Sequence, residues 1–267
     1  MARKPAVDNI DEVIKALQFS GADEIELASV NVEPGPTGQM IAAAPPSAYP
    51  PSFREPTAAE IAFYKQRVRK ELRDWRTSAA NHNIGRVRDK FKGAGISVFA
   101  YSVDYEDNFP EDEMEVTFQQ AKSLGVEVIT ASASLATAER LAVFAAKHQM
   151  LVSFRNTGAE NMTKLLAISK QFRLNFDIGN FVAANGDPVS FLQQNSQHVT
   201  HLRIKDRRRN GGANEKFGEG DTPIKSVLAL VKEKKLAIPA FVDYEYIGIG
   251  TPQEEVKRCM NYLRSAA

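Results

Sequence analysis

From Glu111 onward the chain alternates short β-branched and aromatic runs with amphipathic segments, and that alternation limits the fold to a few choices. Strands separated by helices of similar length are βα units, which assemble as a parallel sheet, either doubly wound or closed into a barrel. The runs Val126–Ser132, Leu151–Asn156, Arg173–Ile178, Val199–Asp206 and Ile238–Tyr246 read as strands, and Glu24–Ala28 and Ile96–Tyr101 share their character. Those last two each follow a glycine-terminated helix, in QFSGADEIELA and FKGAGISVFAY, and glycine is a common helix stop. Helices are expected at Asn9–Phe19, Ala58–Trp75, Gly85–Lys92, Glu111–Leu124, Ala136–His148, Asn161–Lys170, Thr222–Lys234 and Pro252–Ser265.

The strands come to one fewer than an eightfold barrel needs. Either Thr77–Asn81 is a short strand, or the first barrel strand is lacking, because helix Asn9–Phe19 looks like a first barrel helix without its strand. The second reading is adopted: a (β/α)8 TIM-type barrel, complete or lacking its first strand, as one domain over residues 1–267. A proline-rich stretch, Val30–Thr57, has no periodicity and reads either as a loop that selects a ligand or as an inert insertion.

The 34 Lys+Arg against 33 Asp+Glu give a net charge of +1, so no global charge draws the chain to nucleic acid or to an anionic membrane. The single cysteine, Cys259, excludes an internal disulfide framework and a thiolate zinc cluster. A cytoplasmic protein without membrane span or signal peptide is the expectation, and an unpaired barrel position leaves a homo-oligomer open. Ser132 and Ser153 have no evident His partner, GxGxxG and GxxxxGK signatures are absent, and Lys205–Gly212 (KDRRRNGG) reads as a solvated basic loop before a phosphate site.

In βα barrels the chemistry sits where strands end. The polar residues there are Glu26, Tyr101, Ser132, Arg155, Asn156, Asp177, Asn180, His201, Arg203, Lys205, Asp206 and Glu245. Most of the chain resembles the xylose-isomerase-like barrels, the sugar phosphate isomerases and epimerases, most specifically in DIGNF, HLRIKD, FGEGDTPI and DYEY. Asp177, Lys205, Asp206, Gly218, Glu219, Gly220 and Glu245 then occupy motif positions.

The resemblance implies a divalent ion held by a Glu or His on the fifth strand, Asp on the sixth, His on the seventh and Glu on the eighth. Here those positions read Arg155, Asp177, Arg203 and Glu245, and the His that ends the sixth-strand motif is Asn180. A guanidinium is always protonated and has no lone pair, so no metal cofactor is expected in the usual site. An arginine–carboxylate network takes its place, since unit charges ~4 Å apart are worth roughly 4 kcal/mol at an effective dielectric of about 20.

Three readings follow. In the first, an isomerase, epimerase or lyase acts on a sugar or sugar acid. Arg155 and Arg203 steady the enediolate oxygens, Glu245 or Asp177 is the base, and Lys205 is the partner acid if the pocket lowers its pKa. Glu26, Tyr101, Asn156, Asn180, His201, Asp206 and Glu219 are its candidate substrate contacts. In the second, the chain only binds a carbohydrate or carboxylate. In the third, a divalent metal survives in a shifted site using Asp177, Glu245, His201 or His82 and Glu26. A trinuclear zinc site for abasic DNA needs more ligands than four histidines allow.

Overall fold

The computed structural model describes residues 10–33, 57–78, 84–155 and 159–266. Its centre is a nearly closed sheet of seven parallel strands, running in the order β1 (Glu24–Ala28), β2 (Ser97–Asp104), β3 (Val128–Ser132), β4 (Leu151–Arg155), β5 (Phe172–Asp177), β6 (Val199–Ile204) and β9 (Ala240–Val242). Between the last two, β7 (Asp206–Arg207) and β8 (Asn214–Glu215) form a small antiparallel hairpin that absorbs the KDRRRNGG segment. This is the TIM-type α/β barrel expected, one strand short of eight, and β1 and β9 are its edges.

The helices are α1 (Ile10–Ser20), α2 (Ala58–Thr77), α3 (Ile84–Gly93), α4 (Glu111–Leu124), α5 (Leu135–His148), α6 (Ala159–Ile168), α7 (Ile178–Ala183), α8 (Pro188–Asn195), α9 (Ile224–Glu233) and α10 (Pro252–Ala266). The pair α7 and α8 lies between β5 and β6, where the sequence reading placed no helix. Their local signals are present: Asp177 accepts from the Asn180 amide, and Asp187 accepts from Val189 and Ser190 with Pro188 in the first turn. Thr77 closes α2. Residues 79–81 of the alternative strand, Asn156, His82 and most of the Val30–Thr57 loop lie outside the described residues.

The outward strand residues and the inner helix faces make the apolar shell. Leu27, Tyr101, Ile129, Val152, Leu174 and Leu202 are fully buried there. Many inward residues are polar. Glu26, Ser102, Thr130, Ser153, Arg155, Asn175, Asp177, His201 and Arg203 are set on the inner face of six strands, β1 to β6. Two register shifts enrich this interior: Phe99 is extra in β2 opposite Ile25/Glu26, and Thr200 is extra in β6 opposite Leu174/Asn175. A bulge re-aims a side chain, and here Phe99 meets the His201 ring at 5.2 Å while Thr200 reaches its Nδ1 at 2.7 Å.

Candidate active site

The strand ends converge on two connected ionic clusters. In the first, Glu26 at the edge strand β1 accepts from Asn175 Nδ2 at 3.0 Å and pairs with His201 Nε2 at 3.0 Å. Its other oxygen lies 3.7 Å from Arg203 Nη1 and 3.8 Å from Arg155 Nη2. Burial alone would raise the Glu26 pKa, but the His201 hydrogen bond and the charges of Arg203, His201 and Arg155 outweigh it and hold it at about 2. An ionised Glu26 only accepts, so Nε2 of His201 carries a hydrogen and, in the neutral ring, Nδ1 accepts from the Thr200 hydroxyl. Ser153 Oγ, 2.6 Å from Thr200 Oγ1, extends this chain to β4.

The second cluster centres on Lys205, which is only 4% exposed. Its Nζ lies 2.7 Å from Glu245, 2.8 Å from Asp243 and 3.1 Å from Asp177. Desolvation works against this ammonium, yet Asp177 and Asp243 raise its pKa above the ordinary lysine value. Burial pushes the Asp177 carboxyl up against the opposing pull of Lys205. Asp243 joins the two clusters: the same Oδ2 takes Arg203 Nη2 at 2.7 Å and Nε at 3.2 Å. Burial would raise Asp243, but Arg203 and Lys205 bring it to about 2. Arg203 in turn is held protonated, since Asp243 and Glu26 overcome the cost of its burial.

Arg155 is the looser cation. Its Nη2 donates to Ser102 Oγ at 2.7 Å and its Nη1 to Asp104 at 3.1 Å, while Nε is buried without a hydrogen-bond partner. With Glu26, Arg203 and Asp243 it lines a cavity of about 460 Å³ that follows the gap between β1 and β9 down to Leu17 and Met260. Asn175 Oδ1 and Thr130 Oγ1 are two further buried polar atoms without partners. Such atoms in a barrel interior call for water or a ligand hydroxyl.

Asp177, Lys205 and Glu245 are thus brought into one contact set, and Glu26, Arg155, His201 and Arg203 into the adjoining one. Four expected substrate contacts lie elsewhere. Tyr101 turns outward, buried, with its hydroxyl donating to Gln120 at 3.0 Å. The strand runs on to Asp104, so the inward positions are Ala100 and Ser102. Asn180 caps Asp177 with its backbone and side-chain nitrogens, both at 2.8 Å, and accepts from Arg207. Asp206 accepts from the amides of Gly218, Gly220 and Thr222 and so pins the loop after β8. A Cβ at Gly220 would lie 2.1 Å from that carboxylate, which accounts for the glycine. Glu219 stands exposed on the same loop. The expectation for Lys205 as an acid also fails its condition, because its pKa is raised.

The residues do not fit a divalent ion at the usual place. Arg203 and Lys205 already occupy Asp243, Lys205 occupies Asp177 and Glu245, and with these cations in place no group of three His, Cys, Asp or Glu among the described residues is arranged to hold a metal. Sequence reasoning missed Asp243, Asn175, Ser102 and Asp104. For Asp243 the signal was present, since it stands two residues before Glu245 in FVDYEY and both bind Lys205 just beyond β9.

No family model matches the sequence, and no curated protein matches it. Solved structures do. The xylose isomerase domain protein from Alicyclobacillus acidocaldarius superposes with a TM-score of 0.63 at 12% identity, over 99% of this chain and 94% of the other. The probable 3-DHS dehydratase AsbF of Bacillus anthracis gives 0.63 at 13%, over 95% and 93%. The E. coli 3-keto-D-glucoside 4-epimerase YcjR gives 0.57 at 13%, over 71% and 87%. In a seven-stranded, nearly closed form, this chain has the fold of the xylose-isomerase-like sugar isomerases and epimerases.

Proposed function

We propose that this protein acts on a carbohydrate or sugar acid by moving a proton next to a carbonyl, as an isomerase or epimerase does, with protein cations in place of a divalent metal. The observation that carries this reading is a pair of guanidiniums, Arg155 and Arg203, lining a cavity of about 460 Å³ in the gap between β1 and β9. The Arg155 side chain is a third exposed, so its guanidinium can meet an oxygen that gains charge during enolisation. Glu245, whose side chain is 34% exposed, is the most accessible of the three carboxylates around Lys205 and the assigned base. Lys205 acts by holding Glu245 and Asp177 in place. The neighbours named as an epimerase and a dehydratase support a small carbohydrate or related ligand.

The test is deuterium incorporation from D₂O, followed by NMR over a panel of aldoses, ketoses, aldonic acids and uronic acids, using chelator-treated protein. The wild type is expected to exchange one C–H on an accepted sugar. Glu245→Gln should lose that exchange and keep binding by calorimetry. Exchange that appears only when Mn²⁺ is added would overturn the metal-free reading.

A second reading, a binding protein without turnover, is favoured by one observation. Glu26 and Asp243 are held at about 2, which makes them poor proton acceptors, and Glu245 is already committed to Lys205. Saturable binding with no exchange across the panel would select it.

A further inference from the structure

The three carboxylates that converge most closely in this barrel converge on an ammonium. We propose that Lys205 is a tethered cation standing where an ion would sit between Asp177, Asp243 and Glu245, and that it is this side chain that keeps divalent metal out. Its Nζ has three hydrogens and three carboxylate partners within 3.1 Å, so its donor capacity is filled by the cage itself.

The placement is built into the backbone as well. The stem of Lys205 crosses Gly179 so closely that a Cβ there would lie 2.3 Å from Lys205 Cγ and 2.6 Å from its carbonyl oxygen. Only glycine lets β6 and the first turn of α7 approach in this way. The ammonium is therefore held in the cage by main-chain packing and not by its charge alone.

Charge accounting points the same way. Around Lys205 the three carboxylates Asp177, Asp243 and Glu245 face two cations, Lys205 and Arg203. Without Lys205 the same three face one guanidinium, and one divalent ion supplies the missing charge. Carboxylate oxygens suit Mn²⁺ and Mg²⁺. The arginines alone do not exclude a metal from this position, because Arg203 touches only one of the three cage carboxylates. The inference concerns binding and holds whether or not the pocket turns a sugar over.

The experiment is a Mn²⁺ titration of the full chain after chelator treatment, read by the EPR signal of free Mn²⁺, for the wild type, Lys205→Ala and Lys205→Met. The wild type should leave Mn²⁺ free. Lys205→Ala should bind one Mn²⁺ per chain, and adding Asp243→Asn should abolish this. Lys205→Met, whose thioether fills the space without charge, should bind none. Bound Mn²⁺ in the wild type, a folded Lys205→Ala that binds none, or equal binding by the Ala and Met variants would each overturn the proposal. If Lys205→Ala unfolds without an ion, Mn²⁺ must restore its near-UV circular dichroism, and failure to do so overturns the proposal too.

Discussion

Lys205 and Arg155 are two cations at the same end of one barrel, and they are held in opposite ways. Lys205 is enclosed, with every donor matched to a carboxylate. Arg155 is a third exposed, one of its partners is the solvent-facing Asp104, and one of its donors is unused. The first arrangement spends its hydrogen bonds inside the protein, where they fix geometry. The second leaves capacity for something that is not protein. A cation can therefore be essential to the shape of a site, or available to a ligand, and the donor inventory tells which.

The largest expected effect tests the enclosed side. Lys205→Met strands three carboxylates in a buried cage, and breaking a buried pair in this way costs roughly 3–5 kcal/mol. Urea denaturation should show a loss of that order, and a change under 1 kcal/mol would mean the cage is well solvated. Next, Gly179→Ala should cost about 2 kcal/mol or more by displacing the Lys205 stem, since overpacking typically costs ~1–3 kcal/mol. It should also unsettle Lys205 without touching its charge, and an unchanged melting temperature would refute that packing.

On the open side, Arg155→Met should change stability by less than about 1 kcal/mol, as expected for a partly exposed ion pair. Ligand binding by calorimetry should nevertheless be lost. A large stability loss with binding intact would reverse the comparison.

Acid sharpens the contrast between the clusters. Glu26 and Asp243 have folded pKa values near 2, below the ordinary 4.5 and 3.8. A depressed carboxylate contributes stability that is complete above its unfolded pKa and is lost as pH falls toward its folded one. For Glu26 the gap corresponds to on the order of 3 kcal/mol. Stability should therefore fall between about pH 4.5 and pH 2. Glu26→Gln should flatten that slope, which pH-dependent urea melts will read. Asp177 has the opposite sign, its pKa being raised by burial, so its protonation as pH falls removes a desolvation cost and offsets part of that loss.

How far the sequence carries this picture differs by residue. The seven strands follow from periodicity, because a parallel strand is a local pattern of β-branched residues between helices; their order does not, since the same alternation also fits a doubly wound sheet. The arginines at the expected ligand positions were also legible, since guanidinium chemistry needs no coordinates. Lys205 was read as a candidate acid because its motif position is visible in one dimension, while the three carboxylates around it come from β5 and from the segment after β9, sites far apart along the chain. Tyr101 reads in the sequence as the residue closing its strand, but the strand runs three residues further to Asp104 and the Tyr101 side chain faces outward onto Gln120. Thr200 could not have been assigned inward at all, as only the bulge turns it there beside His201.

The gap between β1 and β9 has a consequence for how the molecule assembles. Among the described residues no ladder joins these edges. The circuit is completed by side chains, Glu26 to His201 across 175 positions of sequence, and by the packing of α1 on α10, with Arg264 donating to the Gly21 carbonyl. Contacts of such long sequence separation form late, because the loop-closure entropy must be met before they reward it. The pocket is therefore expected to close late in folding, and the amides of β1 should exchange with solvent before those of β4.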